Sequence, residues 1–310
     1  MPVKNVEKYI KEAIESILLQ THKSFELLIL DDSVDNTPNI VKSFSDDRIK
    51  YYKYEGNIPK KLNFGIEKSK GEYIARMDGD DISQNRRLET QLKVLHNKNI
   101  DLVGCNLIYI NEKKKLISKK IFPELNENIQ FFMPINTSLP HATMFAKKSI
   151  FLNIRYNKNL EFSEDMDVFL KIMNKGYSFY NVQEYLYYYR LVRNIFDVSS
   201  RHNAESYKVG KLYLNDKISV DNIKDRAINC LRLALLEYYK GDLRKSRTYF
   251  GEYLRMNPTD KSKLRRYLLL SKLHPAFFRI LRKSKIPQRL NRVVLKYFEK
   301  DMQYTLKDYS

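Results

Sequence analysis

The sequence predicts an α/β protein, with a mainly parallel, doubly wound sheet followed by a basic α-helical part. Two observations support this prediction. Apolar runs of strand length alternate with helical patterns up to about residue 110, which is typical of βαβ units. The net charge of +19 lies mostly in residues 201–310, which contain 26 Lys and Arg against 11 Asp and Glu. We therefore expect two domains, residues 1–200 and residues 201–310.

The first five elements follow each other closely. Ile10, Ile14 and Ile17 repeat at helical spacing after Asn5, which we expect to cap the first helix. The next apolar run is short and suits a strand that is buried on both faces. In order, the sequence predicts a helix over 7–20, a strand over 25–30, a helix over 37–44, a strand over 49–54 and a helix over 59–69.

An acidic strand end follows these elements. Residues 73–77 have the pattern of a buried strand, and Asp78, Asp80 and Asp81 come directly after it, with only Gly79 between the first two. Like charges this close repel each other, so they need a cation or a solvated surface. Mg²⁺ and Mn²⁺ prefer oxygen ligands and commonly bridge carboxylates to the phosphates of a substrate. On this motif alone, an ordinary acidic turn is the alternative.

A second acidic pair favours the functional interpretation. Asp31 and Asp32 end the strand that begins near Phe25. In doubly wound sheets the ligand lies beyond the carboxyl ends of the strands. The two acidic clusters are therefore expected to line one crevice, which predicts a cation or nucleotide site.

A third acidic cluster comes later in the chain. Glu164, Asp165 and Asp167 stand at the start of an apolar helix, where carboxylates complement the helix dipole. Simple capping is the alternative to a catalytic role, and for Glu164 alone we prefer it. The other predicted elements are a helix over 86–98, a strand over 100–110, a solvated hairpin or loop over 112–120, a helix over 126–133, and a strand over 143–145 running into a helix near Lys148.

The basic last third predicts helices. Two amphipathic helices cover 222–258, with a break at 240–242. Residues 261–300 then hold 13 Lys and Arg and one acidic residue, Glu299. Apolar stripes flanked by Lys and Arg within 275–300 suit an anionic membrane surface. A helical lid on the first domain, with a basic solvated face, is the alternative.

Composition also limits the cellular setting. The two cysteines, Cys105 and Cys230, lie far apart without the spacing of metal ligands, which is typical of core thiols in a reducing compartment. No apolar run approaches the roughly 20 residues that cross a bilayer. We therefore expect a cytoplasmic protein, peripheral on the inner membrane face where the basic segment binds lipid.

The order of these motifs resembles that of the family 2 glycosyltransferases, which have the GT-A fold. The resemblance extends from Met1 to about Ser200 and implies a GT-A catalytic domain there. It implies inverting transfer of a sugar from a nucleotide-diphosphate donor to a hydroxyl of a polysaccharide, glycolipid or surface glycan. The implied partners are a nucleotide sugar and a glycan or lipid-linked acceptor, and no nucleic acid is expected. The stretches that carry the resemblance are Glu7–Leu18, Lys70–Asp78, Arg87–Gln91, Glu164–Asp167 and Tyr187–Arg190.

The resemblance implies roles for the acidic residues. Asp32 matches the aspartate that hydrogen-bonds the nucleotide base, and Asp78 would contact the ribose or the donor sugar. Asp80 would bind the Mn²⁺ or Mg²⁺ that bridges the diphosphate. Asp165 matches the general base, with Glu164 beside it near the donor sugar. A positioned carboxylate that removes the acceptor proton typically contributes ~10²–10⁴ in rate.

Other positions are implied at the two sides of the pocket. Pro2, Val3 and Asn5 form the turn that borders the nucleotide. His141 matches a frequent family position near the acceptor, although a lone histidine is more often structural.

Departures from the family pattern leave other functions open. Lys4 replaces a tyrosine that packs on the base, Val192 replaces a histidine near the diphosphate or metal, and the Asp-Asp turn is one residue short. A catalytically impaired protein that binds a nucleotide sugar or a glycan is therefore the alternative. A sugar-phosphate nucleotidylyltransferase is less favoured, because that class needs a glycine-rich phosphate loop after its first strand and the sequence has none.

The resemblance also predicts a strand ahead of Pro2. In the family an apolar strand precedes the turn and lies in the middle of the sheet, whereas here residues 1–5 already match the turn. Each unpaired buried backbone group would cost roughly 1–3 kcal/mol. We therefore expect that most of the first strand is missing and that Met1 is an internal methionine of a longer chain.

Overall fold

The computed structural model confirms an α/β fold with a helical part after it. Its contacts divide the chain into two compact units, with the division between Ser206 and Tyr207. The domain limits 1–200 and 201–310 stay a prediction. The residues that the structure describes are 1–192, 195–218 and 222–256.

The first unit begins with a three-stranded parallel sheet and its connecting helices. In chain order these elements are β1 (Pro2–Val3), α1 (Ile10–Leu18), β2 (Leu27–Asp31), α2 (Thr37–Lys42), β3 (Ile49–Lys53) and α3 (Ile58–Lys68). The strands lie in the order β1–β2–β3. All three carboxyl ends therefore point to the same edge of the sheet.

The second sheet is mixed and contains six strands. Its strands and the helices between them are, in chain order, β4 (Tyr73–Ala75), β5 (Ile82–Ser83), α4 (Arg87–Lys98), β6 (Leu102–Asn111), β7 (Leu116–Lys120), α5 (Asn126–Phe132), β8 (Phe145–Lys147), α6 (Lys148–Asn153), α7 (Glu164–Asn174) and β9 (Phe179–Leu191). The strand order is β4–β8–β6–β9–β5, with β7 paired to β6. β6 and β9 run parallel, and the other neighbours are antiparallel.

One apolar cluster joins the two sheets. It includes Ile14 from α1, Ile29 from β2, Leu88 from α4 and Val103 from β6. Fully burying a side chain of this size contributes roughly 1.5–3 kcal/mol. This shared core holds the strand ends of both sheets in fixed positions.

The local predictions hold with one exception. Asn5 does not cap the first helix, because α1 begins at Ile10 after Tyr9. Asn5 has a φ of 54°, and its Oδ1 accepts a hydrogen bond from Val34 N at 3.0 Å. The segment 112–120 contains β7, so it forms the hairpin rather than the loop.

Helices follow the second sheet. They are α8 (Ile195–Ile218), α9 (Ile223–Lys240) and α10 (Leu243–Met256). The predicted helix pair corresponds to α9 and α10, and Gly241 separates them with a φ of 90°. In the second unit, buried Glu237 pairs with Lys211 and accepts a hydrogen bond from Tyr207 Oη at 3.1 Å.

No helix in the described part of the chain is long and apolar enough to cross a membrane. The basic segment 275–300 lies outside the described residues. Its membrane-binding and lid interpretations therefore stay predictions.

Candidate active site

The start of the chain, the end of β2 and the acidic turn after β4 meet at one edge of the first sheet. Asp32 N donates to Val3 O at 3.2 Å. Gly79 lies so close to Val3 that a Cβ on the glycine would stand 2.5 Å from Val3 Cγ1. Only glycine fits at this position, because real Cβ atoms do not approach other atoms this closely. The structure thus brings together three segments that the sequence placed in the nucleotide pocket.

Asp32 is held by two lysines. Its Oδ2 lies 3.1 Å from Lys4 Nζ and 3.6 Å from Lys61 Nζ. Lys61 is buried, and its Nζ also donates to Val3 O at 2.9 Å. Burial acts to raise the pKa of Asp32, but the hydrogen bonds and charges of the two lysines lower it overall. Asp32 is therefore ionised and able to accept hydrogen bonds.

The turn from Pro2 to Asn5 is tied to the segment after β2. Pro2 and Val3 are buried in the short strand β1. Asn5 N donates to Ser33 Oγ at 2.7 Å. The left-handed backbone of Asn5 is what lets both its backbone and its side chain reach this segment. The turn is thus a rigid wall beside Asp32.

Asp78 is oriented from two directions. Its Oδ2 accepts from Arg76 Nη1 at 2.6 Å, and its backbone N donates to Tyr187 Oη at 3.1 Å. Arg76 is buried in the strand end, and Tyr187 is fully buried in β9. The position of Asp78 therefore depends on the packing of both β4 and β9.

Asp80 and Asp81 lie in a strongly acidic environment. Burial, followed by the charge of Asp78, raises the pKa of Asp80 to about 6. Burial and the charges of Asp78 and Asp80 raise the pKa of Asp81 well above its usual value. Asp81 Oδ1 accepts from Arg190 N at 2.7 Å, which fixes it to β9. An added cation would offset the crowding of like charge at Asp80, which, unlike Asp81, is only half-buried.

Arg190 anchors the acidic turn. Its Nε donates to Asp80 O at 2.7 Å, and its Nη2 donates to Glu12 Oε2 at 2.8 Å. Its Nη1 donates to Glu112 O at 3.1 Å, and its guanidinium lies 4.7 Å from the centroid of the Tyr9 ring. One buried side chain thus joins α1, the acidic turn and the hairpin after β6.

His141 and Glu164 form a buried polar pair with Tyr156. His141 Nε2 lies 2.9 Å from Tyr156 Oη, and His141 Nδ1 lies 3.5 Å from Glu164 Oε1. Burial, with the charge of Arg76 second, lowers the pKa of His141 to about 3. The imidazole is therefore neutral at physiological pH. The predicted acceptor-side role of His141 stays a prediction.

Asp165 lies at the start of α7 and is half-buried. Its Oδ2 accepts from Thr137 Oγ1 at 3.3 Å, and its Oδ1 accepts from Met166 N at 2.7 Å. The charge of Asp165 acts on His141, as does the charge of Asp78. The two acidic motifs are more than 80 residues apart in the chain, yet they act on the same buried histidine.

Residues 1–157 match the sequence model of the family described as Glycosyl transferase family 2. This match covers more than half of the chain. The chain belongs to glycosyl transferase family 2. Among its relatives, the O-antigen biosynthesis glycosyltransferase WbnJ of Escherichia coli is 33% identical over 198 residues, covering 62% of this chain and 78% of WbnJ. The putative glycosyltransferase EpsE of Bacillus subtilis is 33% identical over 197 residues, covering 60% of this chain and 70% of EpsE.

Solved structures show the same GT-A fold. Residues 1–349 of TarS from S. aureus, in complex with UDP-GlcNAc, align with a TM-score of 0.59 and 19% identity, covering 87% of this chain and 85% of that one. The mannosyltransferase PcManGT of Pyrobaculum calidifontis, in complex with GDP-Man and Mn²⁺, aligns with a TM-score of 0.57 and 14% identity, covering 100% of this chain and 86% of that one. The predicted family and fold are therefore confirmed, and the protein is a glycosyltransferase.

The described part of this glycosyltransferase does not contain a complete set of protein ligands for a metal. Within the described residues, no three His, Cys, Asp or Glu side chains stand close enough to hold an ion between them. Mg²⁺ commonly takes one or two carboxylates and completes its shell with phosphates and water. Asp80, whose pKa is raised by burial and by Asp78, fits such a site because a cation would offset both effects.

Three basic residues of this family member were not predicted as part of the site. Arg76 holds Asp78, Arg190 anchors the acidic turn, and Lys61 pairs with Asp32. Arg76 and Arg190 lie within stretches that carried the family resemblance, so the sequence could have predicted that they belong to the site. Lys61 follows Lys60 in a basic helix start, and nothing in the sequence distinguishes the buried lysine from its neighbour.

Proposed function

We propose that this glycosyltransferase is inverting and metal-dependent, and that it moves a sugar from a nucleotide-diphosphate donor to a hydroxyl of a glycan or lipid-linked acceptor. The observation that supports this most is that the charges of both acidic motifs act on buried Arg76 and on buried His141. The charges of Asp78 and Glu164 both act on the Arg76 guanidinium. The charges of Asp78 and Asp165 likewise both act on buried His141. A donor-binding carboxylate and a general base close to the same buried group fit a single displacement, in which donor and acceptor are held side by side.

The donor end of the pocket has groups for each part of a nucleotide sugar. Asp32, kept ionised by two lysines, accepts a hydrogen bond from the base. Asp78, held by Arg76, contacts the ribose or the donor sugar. Asp80 would hold Mn²⁺ or Mg²⁺, which when bound neutralises charge on the leaving diphosphate. The buried turn of Pro2, Val3 and Asn5 closes the nucleotide side.

In the transfer step, we assign the role of accepting the proton of the acceptor hydroxyl to Asp165. As the acceptor oxygen bonds to the anomeric carbon, the bond from that carbon to the diphosphate breaks and the acceptor proton passes to the carboxylate. Attack on the face opposite the leaving group inverts the anomeric centre. Half-buried Asp165 is accessible enough to meet an acceptor, whereas Glu164 is buried beside His141. We therefore assign Glu164 to shaping the site near the donor sugar.

The description of a relative supports a proposal for the class of acceptor. WbnJ is described as an O-antigen biosynthesis glycosyltransferase. By this similarity we propose a polysaccharide, glycolipid or related surface glycan as acceptor. We also propose that the protein works in the cytoplasm and on the inner membrane face, since lipid-linked acceptors are built at membranes.

A panel of UDP- and GDP-sugars, tested by thermal shift with and without Mn²⁺, tests the donor assignment. A donor at 100 times its Kd stabilises the folded protein by about 2.7 kcal/mol, so the correct one should stand out. We expect this stabilisation to grow when Mn²⁺ is added. No stabilisation by any sugar nucleotide would contradict the proposal.

The same panel separates an enzyme from a binding protein. An active transferase slowly hydrolyses its donor even without an acceptor, and the released nucleotide is measurable. Tight donor binding without any release, with or without candidate acceptors, would favour the catalytically impaired alternative.

A further inference from the structure

A hairpin of the second sheet carries both positive charge and exposed apolar side chains. The segment 112–121, which we call the basic hairpin, consists of the turn after β6 and the strand β7, and it ends at Ile121. It contains five lysines against one glutamate, a net charge of +4. β7 pairs with β6 on one side, and among the described residues no strand pairs with its other edge. The basic hairpin therefore lies at the rim of the sheet.

Three apolar side chains of the basic hairpin are exposed. Leu116 is 61% exposed, Ile117 50% and Ile121 65%. The register of β7 on β6 shifts between Tyr109 and Ile110, so that Ile117 is an extra residue with no partner on β6. Such a bulge breaks the alternation of faces along a strand, and the neighbours Leu116 and Ile117 are both exposed. The hairpin thus presents a small apolar surface to its surroundings.

Lysines flank this apolar surface. Lys113 and Lys115 stand before the apolar pair and are exposed, and Lys119 and Lys120 stand after it. At a membrane, ammonium groups interact with anionic headgroups while neighbouring apolar side chains enter the layer below. The composition of the basic hairpin is that of a segment which lies on anionic lipid.

Charge and apolar exposure together distinguish the surfaces that would cover the hairpin. Pairing of β7 with β7 of a second copy would place two lysine-rich strands side by side, and like charges opposite each other are destabilising. A soluble polyanion would match the lysines but leave the apolar side chains in water. An anionic lipid surface matches both features, so the observations favour it.

The basic hairpin is fixed beside the acidic turn. Lys114 Nζ pairs with Glu12 Oε1 at 2.7 Å, which ties the hairpin to α1. Arg190 Nη1 donates to Glu112 O at 3.1 Å, and Arg190 Nε donates to Asp80 O at 2.7 Å. One side chain therefore joins the hairpin to the acidic turn. A surface that contacts the hairpin lies close to this turn.

We propose that the basic hairpin docks on an anionic membrane, with Leu116, Ile117 and Ile121 in the interfacial layer and its lysines among the headgroups. Docking brings the acidic turn, and with it the donor pocket, next to the membrane surface. A lipid-linked acceptor then reaches the pocket without leaving the membrane. This delivery of the acceptor rests on the proposed function, whereas binding of lipid by the hairpin does not.

A tryptophan in the hairpin reports the contact, because the full chain contains none. With vesicles of phosphatidylcholine and phosphatidylglycerol, the fluorescence of Ile117→Trp should shift to the blue and be quenched by bromine on the acyl chains. Vesicles of phosphatidylcholine alone should cause neither change, because they do not attract the lysines. Leu152→Trp, at an exposed apolar position of α6, is the matched control and should not respond. Sedimentation with anionic vesicles without any response of Ile117→Trp would overturn the proposal.

Charge variants test the same contact without a tryptophan. The double variant Lys113→Ser and Lys115→Ser should partition onto anionic vesicles about tenfold more weakly, because two cations near the lipid surface are lost. Lys50→Ser with Lys53→Ser removes the same charge from exposed positions of β3 and should change partition little. Equal losses in the two double variants would indicate general attraction of a cationic protein and overturn the proposal. A blue shift of Ile117→Trp that depends on protein concentration and needs no vesicles would identify a second copy instead.

Donor binding separates this proposal from the proposed function. The thermal shift caused by a sugar nucleotide, measured without vesicles, should be the same in the hairpin variants and in the unaltered protein. An intact donor response without vesicle contact would refute docking by the hairpin alone. Vesicle contact without a donor response in any variant or in the unaltered protein would refute the proposed function alone.

Discussion

Asp32 and Asp80 are two half-buried carboxylates, one after β2 of the first sheet and one in the acidic turn after β4 of the second sheet, and their surroundings differ sharply. Asp32 lies within reach of Lys4 and Lys61, which lower its pKa despite burial. Asp80 lies beside another carboxylate, and partial burial followed by the charge of Asp78 raises its pKa to about 6. The fold thus supplies the counter-charge for one carboxylate and leaves the other without enough of it.

This difference separates the two ends of the donor pocket by chemistry. A carboxylate that is already neutralised by lysines can accept a hydrogen bond from a base without needing a metal. A carboxylate that is crowded by like charge gains most from an incoming cation. Under the proposed function, the Asp32 end would recognise the nucleotide and the Asp80 end would respond to a divalent cation. Three measurements test this division, and a fourth tests a carboxylate that lies outside it.

The largest expected effect is on turnover, and it comes from Asp165, a third carboxylate outside the surroundings of both Asp32 and Asp80. Asp165→Asn keeps the shape but cannot take a proton, so turnover should fall by ~10²–10⁴ while donor affinity stays the same. Steady-state kinetics and isothermal titration measure the two quantities. Asp167→Asn is the matched control, because Asp167 pairs with Lys171 at 2.6 Å on the same helix, and it should keep turnover. Lost donor binding with intact turnover would move Asp165 to the donor pocket.

Asp80→Asn should remove the metal-dependent part of donor binding. We expect affinity in Mn²⁺ to weaken by about tenfold or more, with no change in EDTA, because the lost charge contributes only when a cation is present. Asp32→Asn should weaken nucleotide binding equally in Mn²⁺ and in EDTA. Isothermal titration in both buffers gives the four values. The same Mn²⁺ dependence in Asp80→Asn and in the unaltered protein would contradict the assignment.

Lys61→Met and Lys4→Met test how Asp32 is neutralised. Lys61 is buried and also donates to Val3 O, so its loss should cost about 1–3 kcal/mol of unfolding free energy. The Lys4 side chain is 65% exposed, so its loss should cost less than about 1 kcal/mol. Urea unfolding at neutral pH measures both. Equal effects would mean that burial of Lys61 does not matter.

The smallest effect concerns pH. The folded pKa of Asp80 is about 6, above the unfolded value of 3.8, so between these values the folded state binds more protons and stability falls as pH rises. Asp80→Asn should therefore stabilise the metal-free protein by about 1–2 kcal/mol above pH 6 and by nothing below pH 4. Thermal unfolding at pH 4 and pH 7 checks this. A stabilisation that is independent of pH would point to a packing effect instead.

The sequence predicted the acidic end of the pocket better than the basic one. The acidic positions stand at the ends of apolar runs, and the topology of a parallel sheet brings such ends together. Lys61 stands in a helix start with several lysines, and its burial depends on long-range packing against Val3 and Asp32. No local pattern reports which lysine of such a run turns inward.

Two further differences have local causes. Asn5 has the residue type and position of a helix cap, but its side-chain oxygen accepts a hydrogen bond from Val34 N in the segment after β2. β5 has two residues, which is too short for a periodic signal. The helix pair α9 and α10 was predictable because Gly241 interrupts a strong apolar repeat.

The hydrogen bonds of Arg190 affect how the acidic turn opens. Its guanidinium and backbone hold α1, the acidic turn and the hairpin after β6 together through four separate hydrogen bonds. A turn of polar residues at a strand end would ordinarily fluctuate by itself, at little cost in free energy. Here, opening of the turn breaks contacts with three segments at once. Opening of the turn should therefore occur together with loosening of α1 and the hairpin, in one cooperative event.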